Sequence, residues 1–414
     1  MRRAATVLAA ACLVLALLAS SAAAASTTCT KMRQMLHSGG GSRSGLLVLD
    51  ADSGKVLCAS AAKRQRPLAS NMKLFTTGTV LARLGPSRRI ATKVFADGRL
   101  TADGVLHGSL YLRGGGDPTL GAPGFYDSYL SGVGTNLFAL KAQIRAAGVK
   151  SITGRLYADD SFFDRLRGVA DSGYATSGEI GPLSALEFNA GHAGGSIFSG
   201  FSSDPAKLAA TKLARALIGA GVRVPRQVAL GVTPPNANRL AIVRSPDLSR
   251  IVHFTDVYSY NFFAEMLIKL LGAERGKGGT TAAGAEVVTE FARSLGSSLH
   301  AVDGSGLSRP GRASPWQVVR FLSGMREQDV GQEFVDDLAV AGREGTVDGR
   351  MRGTPAYGRC HVKTGTLTGV SNLSGYCFNA SGRVMIFSIL MGGAYDISLA
   401  HLMQDRIAGL VASY

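Results

Sequence analysis

The chain has 414 residues, 46% of them apolar, and a formal net charge of +16. That length exceeds what one hydrophobic core usually organises, so more than one domain is expected. Its Lys and Arg residues are scattered and not interleaved with aromatics, which argues against a nucleic-acid-binding protein. An exported basic chain is better matched to an anionic wall or membrane surface, though a merely solvated basic surface fits equally well. There is no Cys-x-x-Cys and no paired histidines, so no metal or cofactor is expected.

Residues 1–25 read as an export signal. Arg2-Arg3 opens it, Val7 to Leu18 is its apolar core, and Ala22 to Ala25 supplies small residues for cleavage. The short core argues against a retained membrane anchor. The mature chain is then periplasmic or otherwise extracytoplasmic, and it keeps four cysteines: Cys29, Cys58, Cys360 and Cys377. An even count outside the cytoplasm points to two disulfides, with three pairings open. Neighbourhood favours Cys360 with Cys377, because both lie on strand-like runs joined by a Gly-containing connection. Adjacent strands bring Cα atoms to about 4.5–5.5 Å, within bridging range. Cys29 would then pair with Cys58.

Gly45 to Asp50 and Lys55 to Ala59 read as a hairpin around Asp52-Ser53-Gly54. After Pro67 the pattern turns helical, with Met72, Leu74, Phe75, Val80, Leu81 and Leu84 apolar, and Gly85-Pro86 stops it. Short strands broken by glycines follow at Lys93-Val94-Phe95, Val105 to Ser109 and Leu110 to Leu112. Helices are expected at Asn136 to Ala147 and Asp204 to Ala220, with a strand at Ser151 to Ala158 between them. Tyr260 to Leu271, Thr281 to Leu295 and Pro315 to Met325 read as helices. Three strands follow at Arg359 to Leu367, Leu373 to Asn379 and Val384 to Met391, and a helix at Ser398 to Ala412 closes the chain. A hairpin first, three strands last and helices between suggest one sheet built from both chain ends. The expected division is a discontinuous domain of 26–92 and 253–414, with an inserted mixed α/β domain at 93–252.

Three stretches carry candidate chemistry. Ser70 sits at or just inside a helix start with Lys73 one turn later on the same face, so the amine can reach the hydroxyl. The positive end of a helix dipole favours an oxyanion and a neutral lysine. A second Ser-x-x-Lys, Ser60 to Lys63, follows a strand and offers no buried helical face. Ser259-Tyr260-Asn261 opens an apolar helix; read alone, Ser259 is an N-cap. Lys363-Thr364-Gly365-Thr366 lies on a strand between the two C-terminal cysteines. Its glycine admits a close ligand, and lysine with two hydroxyls suits a carboxylate.

In the order Ser-x-x-Lys, Ser-x-Asn, Lys-Thr-Gly, the chain resembles the penicillin-recognising serine enzymes. It is most similar to the class C low-molecular-mass penicillin-binding proteins, the S13 D-alanyl-D-alanine carboxypeptidases and endopeptidases. Further family-like stretches are Gly115 to Leu120, Asn261 to Glu265, Asp303 to Arg309, Gly345-Thr346 and Lys363 to Leu367. The long gap from Ser70 to Ser259 fits a family with an insert there. That insert is shorter than in full-length members, so a third, nested domain is expected to be reduced or missing.

The resemblance implies a penicillin-binding-protein/β-lactamase-like α/β (α+β) fold, with an antiparallel sheet covered by helices plus the inserted domain. Peptidoglycan stem peptides would be substrates and β-lactams inhibitors. Ser70 would be the nucleophile and Lys73 its base, with Ser259, Asn261 and Lys363 completing the catalytic set. Backbone N–H groups of Ser70 and Thr366 would form the oxyanion hole, and Thr364, Gly365 and Thr366 would line the carboxylate site. Asp159 and Arg309 match positions near the stem-peptide side chain; read alone, they are a turn residue and a structural ion pair. Two rival functions stand beside this one. The first is a β-lactamase or esterase on the same scaffold, for which Glu187 is a superficial candidate base. The second is a non-catalytic peptidoglycan-binding protein.

Overall fold

A computed structural model describes residues 26–225 and 227–414, so the expected export signal at residues 1–25 lies outside the described residues. After a helical stretch at 26–40, the main elements of the first half are β1 (Gly45–Asp50), β2 (Val56–Ser60), α1 (Met72–Leu84), β3 (Ala91–Leu100), β4 (Val105–Arg113), α2 (Ala139–Ala146), β5 (Leu156–Asp159) and α3 (Pro205–Gly219). Then come β6 (Val228–Leu230), β7 (Asn238–Arg244), α4 (Leu248–Val257), α5 (Asn261–Arg275), α6 (Thr281–Ser294), α7 (Pro315–Arg326), α8 (Gly331–Asp336), β8 (Ala339–Val340), β9 (Cys360–Leu367), β10 (Gly369–Phe378), β11 (Val384–Ala394) and α9 (Ile397–Val411).

Two units divide the described chain. The first comprises the chain up to Leu68, Ala313–Ser323 and Ala339–Tyr414. Its six-stranded sheet runs β8-β9-β10-β11-β1-β2, antiparallel throughout. The first strand lies against the last, from Gly45 opposite Leu390 to Asp50 opposite Met385. The sheet expected from both chain ends is therefore present. All of β1 and most of β10 and β11 are buried, which is why these segments read as continuous apolar runs instead of alternating ones. Helix α9 packs on β10 and β11.

Both expected disulfides form. Cys360 and Cys377 are directly opposed across β9 and β10. Cys29 joins the leading helical stretch to Cys58 of β2.

The second unit holds Ala69–Arg312 and Gly324–Leu338. Part of it is a mixed sheet ordered β6-β5-β4-β3-β7. Its pairs β3/β4 and β3/β7 are antiparallel, while β4/β5 and β5/β6 are parallel. Leu140 and Ile144 of α2 and Leu213 and Leu217 of α3 share one core with Val94, Leu110 and Leu156 of the sheet. The other part is helical, with α1 packed on α4, α5 and α6. Helix α1 is buried from Met72 to Leu81 and α5 from Phe262 to Gly272. Helices buried on every face are core helices even where they carry polar residues, and these two carry the residues of interest.

Some local expectations need correction. The short strands around 93–95 and 105–112 are one long hairpin, with Lys93 opposite Arg113 and Leu100 opposite Leu106. Gly98 and Gly108 look like breakers, yet they face each other inside the ladder. A β-carbon at Gly108 would meet the Asp97 carbonyl oxygen at 1.9 Å, so glycine here admits a close approach instead of ending a strand. The expected strand over Ser151 to Ala158 is broken into Ser151–Ile152 and Leu156–Asp159. The 26–40 helical stretch, β6, β7 and α8 add to the expected elements.

Candidate active site

Within the second unit, Ala69–Asn71 forms a single 3-10 turn that feeds directly into α1. Ser70 is in that turn and Lys73 is the second residue of the α-helix. Lys73 is fully buried, and burying an ammonium is costly unless it is well solvated by protein. Its Nζ lies within hydrogen-bond distance of Ser70 Oγ at 3.1 Å, Asn261 Oδ1 at 2.7 Å and the Ser305 carbonyl at 2.9 Å. Two of these are carbonyl oxygens and can only accept. A neutral amine would spend both N–H bonds on them, leaving its lone pair for the hydroxyl of Ser70. Two acceptor-only carbonyls and one hydroxyl around the nitrogen are thus compatible with a neutral amine that takes a proton from that serine.

Asn261 is the first residue of α5. Its Nδ2 donates to the Glu179 carbonyl at 3.2 Å, which fixes which end of the amide faces Lys73. Ser259 lies between α4 and α5 with φ +58. Ala69, just before Ser70, has φ +47. Left-handed backbone at a non-glycine residue costs about 1–3 kcal/mol and clusters at functional sites. The helix cap is Tyr260, so Ser259 is not the N-cap that a local reading of the sequence allows.

Within the first unit, Lys363 is fully buried in β9 and its Nζ donates to the Thr364 carbonyl at 3.3 Å. Thr364 Oγ1 donates to Thr346 Oγ1 at 2.8 Å, and Thr366 is exposed. Strand β8 pairs with β9 only at His361 and Val362. From Lys363 onward that edge of β9 extends past its neighbour, as an extended peptide seeking main-chain partners would require.

Asp159, at the end of β5, is almost wholly buried and already occupied. One oxygen accepts from Ser161 N at 3.1 Å and Ser161 Oγ at 2.6 Å, the other from Thr233 N at 2.8 Å and Thr233 Oγ1 at 2.5 Å. Burial alone would raise its pKa, but these hydrogen bonds outweigh that and hold it below the ordinary carboxylate value. Arg309 is exposed on the loop that follows Ser308. The second Ser-x-x-Lys is split: Ser60 ends β2, and Lys63 sits in an exposed turn with Nζ 5.8 Å from the Trp316 ring centre. Glu187 is fully buried and accepts from Gly191 N at 3.0 Å. Burial and the nearby Asp117 push its pKa well up.

Residues that the sequence did not assign complete the surroundings of Lys73. Ser305 supplies a carbonyl. Glu265 Oε1 accepts from Gly304 N at 3.1 Å and Ser305 N at 2.7 Å. Thr76 Oγ1 donates to the Gly304 carbonyl at 2.9 Å. Ser305 lies in the family-like stretch Asp303 to Arg309, but a carbonyl partner leaves no side-chain signature, so its role is not readable from the sequence. Glu265 ends the family-like stretch Asn261 to Glu265, but nothing in the sequence gives it this role.

A serine hydroxyl 3.1 Å from a buried lysine amine, set in a helix-start turn, is an arrangement suited to nucleophilic acyl transfer. The chain belongs to the D-Ala-D-Ala carboxypeptidase 3 (S13) family, whose pattern matches residues 30–196 and 194–414. It is 31% identical to the D-alanyl-D-alanine carboxypeptidase of Actinomadura sp. (strain R39), over 90% of this chain and 82% of that one. It is 29% identical to the carboxypeptidase DacB of Mycolicibacterium smegmatis, over 84% and 76%. The crystal structure of penicillin binding protein 4 (dacB) from Haemophilus influenzae shares the fold, with TM-score 0.77 over 93% of this chain and 99% of that one at 18% identity. The expected family and the penicillin-binding-protein fold are thus established. Two disulfides and this family fit an extracytoplasmic chain. Among the described residues no helix is long and apolar enough to cross a membrane.

Proposed function

We propose that this protein is a serine-type D-Ala-D-Ala carboxypeptidase, with DD-endopeptidase action, that cuts peptidoglycan stem peptides through an acyl-enzyme at Ser70. The observation that carries the reading is the 3.1 Å contact between Ser70 Oγ and Lys73 Nζ, with Asn261 and Ser305 accepting from the same nitrogen. Ser70 Oγ attacks the carbonyl carbon of the penultimate D-alanine while its proton passes to Lys73. The C–N bond breaks and Ser259 relays a proton to the departing amine. Water then hydrolyses the ester and regenerates Ser70.

Lys363, Thr364 and Thr366 take the terminal carboxylate in this scheme, and the open edge of β9 is suited to an extended substrate backbone. Arg309, exposed on its loop, is the candidate for the acidic end of a diamino-acid side chain. Asp159 contributes by holding Thr233 and Ser161, since its oxygens are already engaged.

Labelled penicillin tests the nucleophile. Wild type and Ser60→Ala should label covalently and Ser70→Ala should not; labelled Ser70→Ala would overturn the assignment. A stem pentapeptide and a cross-linked muropeptide, weighed after incubation, separate the two cleavages. Rapid nitrocefin turnover would favour a β-lactamase, and wall binding without any penicillin adduct a non-catalytic role.

A further inference from the structure

Lys73 is held from behind by a loop that has its own anchor. The Ser305 carbonyl accepts from Lys73, while the N–H groups of Gly304 and Ser305 both point at Glu265. The Asp303 carboxylate binds the far side of the same loop, accepting from Gly306 N at 2.9 Å and Ser308 N at 2.7 Å. Glu265 stands four residues after Asn261 on α5, so one helix face presents both the amide that meets Lys73 and the carboxyl that fixes its carbonyl partner. Glu265 and Asp303 are both fully buried. Glu265 Oε2 has no hydrogen-bond partner among the described residues, an arrangement that suits a protonated oxygen better than an ionised one.

We infer that the buried Glu265–Asp303 carboxyl pair governs how readily Lys73 gives up its proton, acting through the Gly304–Ser305 backbone as a positioning pair that does not touch substrate. The inference rests on Lys73 being the base for Ser70. Two buried carboxyls side by side resist holding two negative charges. Burial and Asp303 push Glu265 up to about 7. Asp303 is raised by burial too, against the pull of its backbone donors and of Lys73. Lys269, on the same helix, also feels the Glu265 charge and is itself paired with Asp164. Both carboxyls thus hold their protons to higher pH than an exposed carboxyl would, and the pair gains negative charge as pH rises. Each added charge favours the ammonium form of Lys73, which is the form that cannot accept a proton.

The test is the rate of Ser70 acylation by labelled penicillin, followed across neutral pH into the alkaline range. Glu265→Gln keeps the hydrogen-bond acceptor but fixes that residue as neutral. Its acid limb should move to lower pH by about one unit, with labelling retained. Asp303→Asn should move the limb the same way, and it carries the test if Glu265→Gln does not fold. Glu265→Ala, which leaves two buried N–H groups without their acceptor, should lower the plateau as well. A Glu265→Gln limb that superimposes on wild type, or a plateau lowered equally at every pH, would overturn the inference and leave Glu265 as packing. Failure of the underlying reading shows differently: Lys73→Ala would acylate at the wild-type rate wherever the limb lies.

Discussion

Gly306 lies so close beneath Ala69 that a β-carbon built on it would stand 1.8 Å from the Ala69 carbonyl oxygen. The contact presses the Asp303–Ser308 loop against the turn that carries Ser70. Gly306 also has φ +85, a backbone that side-chain-bearing residues rarely adopt. Gly306→Ala should therefore push the loop away and cost a few kcal/mol. Penicillin labelling of Ser70 should fall more steeply than the melting temperature, because the displaced loop carries the Ser305 carbonyl. Unchanged labelling in a folded Gly306→Ala would mean the loop does not support Lys73.

Asn261→Asp tests the Lys73 environment from another side. It would place a carboxylate where an amide oxygen now accepts at 2.7 Å. A negative charge favours the ammonium form, so the acid limb of acylation should move to higher pH, opposite to Glu265→Gln. Asn261→Ala has no such sign. It should slow acylation by about 10–100-fold through lost positioning, a difference that stopped-flow labelling resolves.

Asp337 makes stability depend on pH. It follows α8 and is buried, with His253 Nδ1 3.9 Å from Oδ1. Burial first, then Asp256, Glu333 and Asp336, raises its pKa from 3.8 to about 8. The folded state thus binds a proton that the unfolded chain releases. This contribution to stability is complete below pH 3.8 and is lost as pH rises toward about 8. Asp337→Asn should remove that loss and leave the protein more stable than wild type at pH 8, by on the order of a few kcal/mol. Chemical denaturation at two pH values measures it; a wild-type advantage that grows with pH would contradict it.

The bond between Cys360 and Cys377 closes a span of 17 residues beside Lys363. Loops of that size are typically stabilised by about 3 kcal/mol when cross-linked. Cys360→Ala with Cys377→Ala should lower the melting temperature yet keep penicillin labelling at low temperature, because the β9–β10 ladder still sets the register from His361 to Leu367. Lost labelling in a protein that remains folded would assign the bond a direct part in shaping the site.

Periodicity and end-to-end strand pattern made the six-stranded sheet legible in the sequence, along with the core helices α1, α5 and α6 and both disulfides. Motif order grouped Ser70, Lys73 and Asn261 as candidates, and the contacts that bring them together follow from α1 packing on α5. What escaped was interaction through backbone. Ser305 acts by its carbonyl, and Gly98 and Gly108 act by lacking a side chain. Asp159 escaped differently: the residue was found, but its four donors come from Ser161 and from Thr233, distant in the chain. Strand β7 was missed because its burial is only partial, so neither a clean alternation nor a full apolar run marks it.

Because β1 pairs with β11 along its whole length, the opening strand has no long-range neighbour until the last tenth of the polypeptide has been synthesised. Such distant pairing slows folding, and it keeps the central sheet from closing prematurely on a nascent chain. Truncations that remove β11 should accumulate as protease-sensitive, aggregation-prone material.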